Sequence, residues 1–77
     1  MILGLYSVYD RVAGTYAEPF VAVNKQTAIR RFNYIMNNAK MIADDCELYY
    51  VGEFNTDTAV IVQKEVEFIC NSEVAYE

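Results

Sequence analysis

The stretch NKQTAIRRFNYIMNNA, residues 24–39, decides how the rest of the chain must fold. Asn24 stands where a helix N-cap belongs, and Lys25–Ala39 follows with apolar residues at helical spacing. Ala28, Ile29, Phe32, Ile35, Met36 and Ala39 share one face. At 3.6 residues per turn they form a stripe about 120° wide, enough to lie across a sheet. Arg30, Arg31, Tyr34 and Asn37 fall on the opposite face. Asn37-Asn38 can end the helix, although the pattern could drift on to Ile42. One amphipathic helix of this kind needs a sheet to cover, and the flanking segments supply strands on both sides.

Upstream, ILGLYSVY (residues 2–9) is rich in β-branched, aromatic and aliphatic types and stops at the turn formers of 10–14. Extended character resumes at Thr15, which predicts a hairpin over residues 2–22. Pro19 cannot donate to a ladder, so the second arm is an edge strand or is interrupted there. Downstream, Asp44-Asp45 opens a second β region over residues 46–70. Strict alternation puts Leu48, Tyr50 and Phe54 on one side and Glu47, Tyr49, Val51 and Glu53 on the other. Residues 55–58 read as a turn. Ala59–Gln63 then reads as a continuous apolar strand, and Val66, Phe68 and Cys70 are expected to point inward. Residues 71–77 remain as a C-terminal tail. The expectation is an α+β domain of order ββαββ, one antiparallel sheet with one amphipathic helix packed across it, the last strand long or broken in two. The sheet's second face would still carry Tyr49, Val51 and Ile69, so a homo-oligomer, a dimer or higher, is expected to cover it.

The 77 residues suffice for one domain near the lower size limit for unaided folding. With 55% hydrophobic residues, one Pro and no low-complexity tract, the chain reads as folded. The longest apolar run is far short of the ~20 residues a membrane helix needs, so a soluble domain is expected. The apolar start at residues 1–5 is too short for a signal peptide and lacks a basic flank. That predicts a reducing compartment, with Cys46 and Cys70 as free, buried thiols.

Chemistry-bearing motifs are scarce. The chain has no His, hence no proton shuttle of the usual kind at neutral pH. No nucleophile sits beside a base, no glycine-rich phosphate loop occurs, and no close Cys pair offers a metal set. Asp44-Asp45 and Glu65/Glu67 are read as turn and solvated-face residues. No catalytic residue, metal or cofactor is therefore expected, and the chain is read as a binding protein.

Charge is the informative pattern. The net charge is −5. Residues 1–43 carry Arg11, Lys25, Arg30, Arg31 and Lys40 against Asp10 and Glu18, a balance of +3; residues 44–77 carry Lys64 against nine acids, a balance of −8. A basic face beside an acidic one can mark a binding surface. Equally, the two halves can pair with each other, within the chain or between subunits. The candidate nucleic-acid contacts are Arg30, Arg31, Tyr34 and Asn37 on the helix, with Lys25 and Lys40 near its ends and Arg11 in the first turn. Cations hold a phosphate backbone, and a ring among them can stack a base. The alternative is a solvated face that pairs with the acidic half. The tyrosines Tyr6, Tyr9, Tyr16, Tyr49 and Tyr50 can form a stacking platform on the sheet, or fill a small core and bond at its rim.

Three stretches together carry a resemblance: YSVYDRVAG (6–14), EPFVAVNKQTAIRRF (18–32) and DCELYYVGEFNTDT (45–58). In order and spacing the chain resembles the small nonstructural protein of gokushovirus-type microviruses, the small single-stranded-DNA bacteriophages. The resemblance implies a protein made in the cytoplasm of the infected bacterial host and absent from the mature capsid. It also implies binding of single-stranded DNA in genome synthesis or packaging, with Arg30 and Arg31 at the matching positions. A module engaging a viral or host protein through its acidic sheet and strand edges is the other reading. Two positions depart from the family pattern. Asn55 stands where Asp is usual, and Ala59 stands where Gly usually closes the following turn. The second departure predicts a different turn geometry, because glycine at such a place generally serves a positive φ.

Overall fold

The computed structural model describes residues 1–72. Its elements run β1 (Ile2–Asp10), β2 (Thr15–Tyr16), β3 (Phe20–Ala22), α1 (Lys25–Asn37), a 3-10 turn (Ala43–Asp45), β4 (Cys46–Asn55) and β5 (Ile61–Asn71). All pairing is antiparallel in one five-stranded sheet of order β2-β1-β4-β5, with β3 also paired to β1. One helix packs against this sheet, which is the expected α+β arrangement. The second arm of the first hairpin is split into β2 and β3, and Pro19 lies in the gap because its nitrogen has no proton to give a ladder. The last strand is long and continuous.

The turn after β1 is built as its composition suggests. The Asp10 carboxylate accepts from the backbone N–H of Val12 (2.9 Å) and Ala13 (3.2 Å), and Gly14 takes a φ of 72°. At the start of α1, the Asn24 side-chain oxygen accepts from the Thr27 N–H at 2.8 Å, satisfying one of the orphan donors of the first turn. The helix ends at Asn37, two residues short of the expected Ala39, and the Asn38 amide donates to the Tyr34 carbonyl at 2.8 Å. Ala28, Phe32 and Met36 are buried against Tyr6, Val8, Cys46, Leu48 and Cys70 of the sheet, with Ile29 and Ile35 packed at the margin. Both cysteines are buried free thiols.

Strict alternation fails where the register shifts, once between β1 and β4 and twice between β4 and β5, and side chains move to the other face as a result. Tyr50 pairs with Tyr6, yet Gly52 pairs with Leu5, so Val51 is an extra residue in β4. Phe54 consequently pairs with Leu3 and leaves the helix-covered face on which alternation had placed it. In β5, Cys70 pairs with Leu48 and Phe68 with Tyr49, which makes Ile69 the extra residue. Phe68 is therefore half exposed on the open face, while Ile69 packs against the core. The expected inward Phe68 and outward Ile69 are exchanged. Val66 is likewise exposed, in a stretch of β5 where the register with β4 shifts. In the turn that follows β4, Ala59 adopts a left-handed φ of 63°.

Candidate functional site

Helix α1 presents Arg30, Arg31, Tyr34 and Asn37 to solvent. Arg30, Arg31 and Tyr34, with Thr27, Val21 and Ala22, line an open cleft of about 320 Å³ between α1 and β3. Tyr34 is 72% exposed. The Arg31 guanidinium lies over the Phe20 ring at 5.2 Å from its centroid. Phe20 in turn stacks on Tyr6, with centroids 6.1 Å apart and planes inclined by 28°. A guanidinium set over a ring is attracted by its face and can still direct N–H groups to an anion. Residues 20 and 31 are brought together by the β3–α1 connection, which spacing along the helix alone does not reveal.

Among the described residues the ion pairs join the N-terminal amine to Asp57 (3.1 Å) and Lys64 to Glu53 (3.9 Å). Lys25, Arg30, Arg31 and Lys40 form none there, so pairing of the basic face with the acidic half within one chain is not what the described residues display. Lys25 opens the helix and Lys40 follows its end, both exposed. No acidic residue occupies the first turn, which leaves the positive end of the helix dipole uncompensated by a neighbouring carboxylate.

Arg11 does something different. Its guanidinium donates to the Asp44 carbonyl and, at 3.4 Å, to the Asp45 carbonyl, while its backbone N–H donates to the same Asp45 oxygen at 2.8 Å. These bonds tie the first turn to the 3-10 turn, far along the chain from the helix face. Arg11 is placed apart from the Arg30–Tyr34 cleft and is occupied in holding two loops together.

The tyrosines divide by face. Tyr6 and Tyr50 lie on the helix-covered side, edge to face at 5.5 Å. Tyr9, Tyr16 and Tyr49, joined by Phe68, form a row across the open side. Centroids are 4.6 Å apart for Tyr9–Tyr16, 6.1 Å for Tyr9–Tyr49 and 5.7 Å for Tyr49–Phe68. Sequence reading missed Phe68 because the bulge at Ile69 is what turns it outward. The Tyr49 hydroxyl donates to Glu47 at 2.9 Å. Burial foremost, then this bond, raises the Tyr49 pKa above 10.0.

A second open cavity, about 320 Å³ and mostly apolar, lies between α1 and β1–β3, with Val8, Phe20, Ile35, Met36, Ile42 and Cys46 in its lining. Burial, followed by the nearby Asp10 and Asp45 carboxylates, pushes the Cys46 thiol pKa up. Burial does the same to Cys70. A protonated thiol is a poor nucleophile, so neither cysteine is activated for chemistry. Among the described residues no cluster of His, Cys, Asp or Glu is arranged to hold a metal ion.

A family model described as Phage ORF5 protein matches residues 3–75. The chain belongs to the Phage ORF5 protein family. This bears out the phage character that the three sequence stretches suggested, and the match takes in the helix and all of the described strands from residue 3 onward. No curated protein and no solved structure matches the chain.

Proposed function

We propose that this Phage ORF5 protein is a non-enzymatic, nonstructural protein of a gokushovirus-type microvirus that binds single-stranded DNA during genome replication or packaging. It would act in the cytoplasm of the infected bacterium and be left out of the mature capsid. The observation that carries the reading is the Arg30–Arg31–Tyr34 cleft. Two guanidinium groups and an exposed ring flank one opening, Arg31 is held by Phe20, and neither arginine is neutralised by a carboxylate among the described residues. Charge would hold the phosphates while Tyr34 stacks a base. Asn37, Lys25 and Lys40 extend the same side of the molecule, whereas Arg11 belongs to the loop tie and contributes little.

A titration with single- and double-stranded DNA at two salt concentrations tests this. Replacing Arg30 and Arg31 with Ala is expected to weaken binding and reduce the salt slope by roughly 1.4, at about 0.7 per phosphate contact. Tyr34→Ala should weaken affinity by about 1–3 kcal/mol with little change in slope, because stacking is not linked to ion release. Wild-type protein that fails to bind single strands at low salt overturns the proposal.

A second reading draws on β5. It is an edge strand of 11 residues whose positions 61–68 are all exposed, with Lys64, Glu65 and Glu67 among them. An unpaired edge of that length suits strand addition by a viral or host protein. Binding that persists at high salt and survives the arginine changes would favour it.

A further inference from the structure

We infer that the open face of the sheet is a homodimer interface, with a second copy of this chain packed face to face across the row Tyr16, Tyr9, Tyr49 and Phe68. The row touches all four strands of the sheet path, β2, β1, β4 and β5, so it spans the face from edge to edge. Leu3, Leu5, Phe54 and Ile61 continue the same face toward the far end of the strands. Tyr16 and Phe68 are each 50% exposed and Ile61 65%.

Three properties of this face select its occupant. The first is charge. Among residues placed by cross-strand pairing, Glu47 is the one ionisable group of full charge on it, and Tyr49 already satisfies that carboxylate. A nucleic-acid strand would find no cation here to hold its phosphates.

The second is ring geometry. Tyr9 and Tyr49 meet at 89°, Tyr16 and Tyr49 at 75°, and Tyr49 and Phe68 at 74°. Rings locked edge to face use one another's surfaces and do not offer the parallel faces that stacked bases need. With Tyr9 and Tyr16 tilted at 46°, the four rings form an aromatic ridge suited to a matching surface.

The third is size. β1 and β4 hold 9 and 10 residues, so the face is about 30 Å long, and its four strand columns about 4.8 Å apart make it about 19 Å wide. That footprint of roughly 600 Å² lies at the lower end of the roughly 600–1,000 Å² per partner of a standard stable interface. An isologous dimer needs one self-complementary patch, and two chains of net charge −5 meet with least repulsion where charge is sparse. Aligned packing of the two sheets would leave both α1 helices on the outside, with the Arg30–Tyr34 clefts on opposite surfaces of the dimer.

Sedimentation equilibrium on the full chain across the micromolar range tests the inference. Wild type should sediment at twice its 8.8 kDa mass. Tyr16→Glu combined with Phe68→Glu should weaken association at least 100-fold while far-ultraviolet circular dichroism is unchanged, since both positions are exposed. As an arm that does not rely on a destabilised variant, a photo-crosslinking benzoylphenylalanine at position 68 should join two copies through peptides containing Tyr9, Tyr16 or Tyr49. The Arg30→Ala, Arg31→Ala protein should remain dimeric whether or not it binds DNA, which separates this inference from the proposed function. A monomeric wild type overturns the inference. So does a dimer that ignores the double glutamate change but dissociates with Val66→Pro on the β5 edge, or a crosslink that maps to β5 alone.

Discussion

Ala59 holds a φ of 63°, a left-handed conformation that costs a residue with a Cβ about 1–2 kcal/mol. Its N–H donates to the Asn55 carbonyl at 2.7 Å, and the Asn55 N–H donates to the Val60 carbonyl at 2.9 Å, so the turn between β4 and β5 enforces that angle. Ala59→Gly should therefore raise stability by about 1 kcal/mol in urea unfolding; a loss of stability would mean the alanine methyl makes a contact worth more than the strain. The opposite substitution is expected to fail at Gly52. A Cβ there would lie 2.5 Å from the Val62 carbonyl oxygen, a backbone atom. Gly52→Ala should destabilise by about 1–3 kcal/mol through forced displacement of β5, and an unchanged urea midpoint would sink that account. Tyrosine ionisation makes a third prediction. Tyr6, Tyr49 and Tyr50 all have pKa values raised above 10.0, with burial the largest cause in each and carboxylates nearby adding to it. A raised folded-state pKa contributes stability that is present below pH 10 and lost as pH climbs through the folded value. Alkaline unfolding should thus begin above pH 10 and coincide with the ionisation of Tyr6, Tyr49 and Tyr50 followed by tyrosinate absorbance. Unfolding that precedes any tyrosinate signal would contradict this.

At the scale of elements, the helix was legible almost to the residue. Its N-cap, its buried stripe and its basic face all follow from a period of 3.6 that tertiary packing leaves intact. The ends of the strands were nearly as clear, because Asp10, Gly14, Pro19 and the 55–58 turn interrupt the chain for local reasons. What was not legible was the phase within β4 and β5. Val51 and Ile69 are extra residues only relative to a neighbouring strand, so no property of either segment alone marks them. Each flips the residues beyond it. The consequence is functional, since the bulge at Ile69 delivers Phe68 to the open face and completes the aromatic row.

For the molecule as a whole, the two faces divide the labour that the sequence had left mixed. The basic helix face and the aromatic sheet face lie on opposite sides, so the tyrosine platform and the arginine pair are separate surfaces. The dimer inferred from the sheet would display two clefts. If both engage one DNA strand, the second contact becomes intramolecular and apparent affinity rises without any new bond. The monomerising Tyr16→Glu, Phe68→Glu protein should then bind long single strands at least tenfold more weakly than wild type. On an oligonucleotide too short to reach both clefts it should match wild type, and equal affinities on both lengths would show that the clefts act singly.

The sequence by itself determined the order of elements, the amphipathic helix, its cap, and which cations sit on its outer face. These are local properties, written in spacing and in the φ/ψ preferences of Asn, Asp, Gly and Pro. Tertiary structure alone decided which side of the sheet Phe54, Phe68 and Ile69 occupy, that Arg31 rests on Phe20, and that Arg11 is spent on the carbonyls of Asp44 and Asp45. Each of those outcomes depends on the register between segments distant in the chain. Register is fixed by the summed packing of whole strands, which no single stretch of residues encodes.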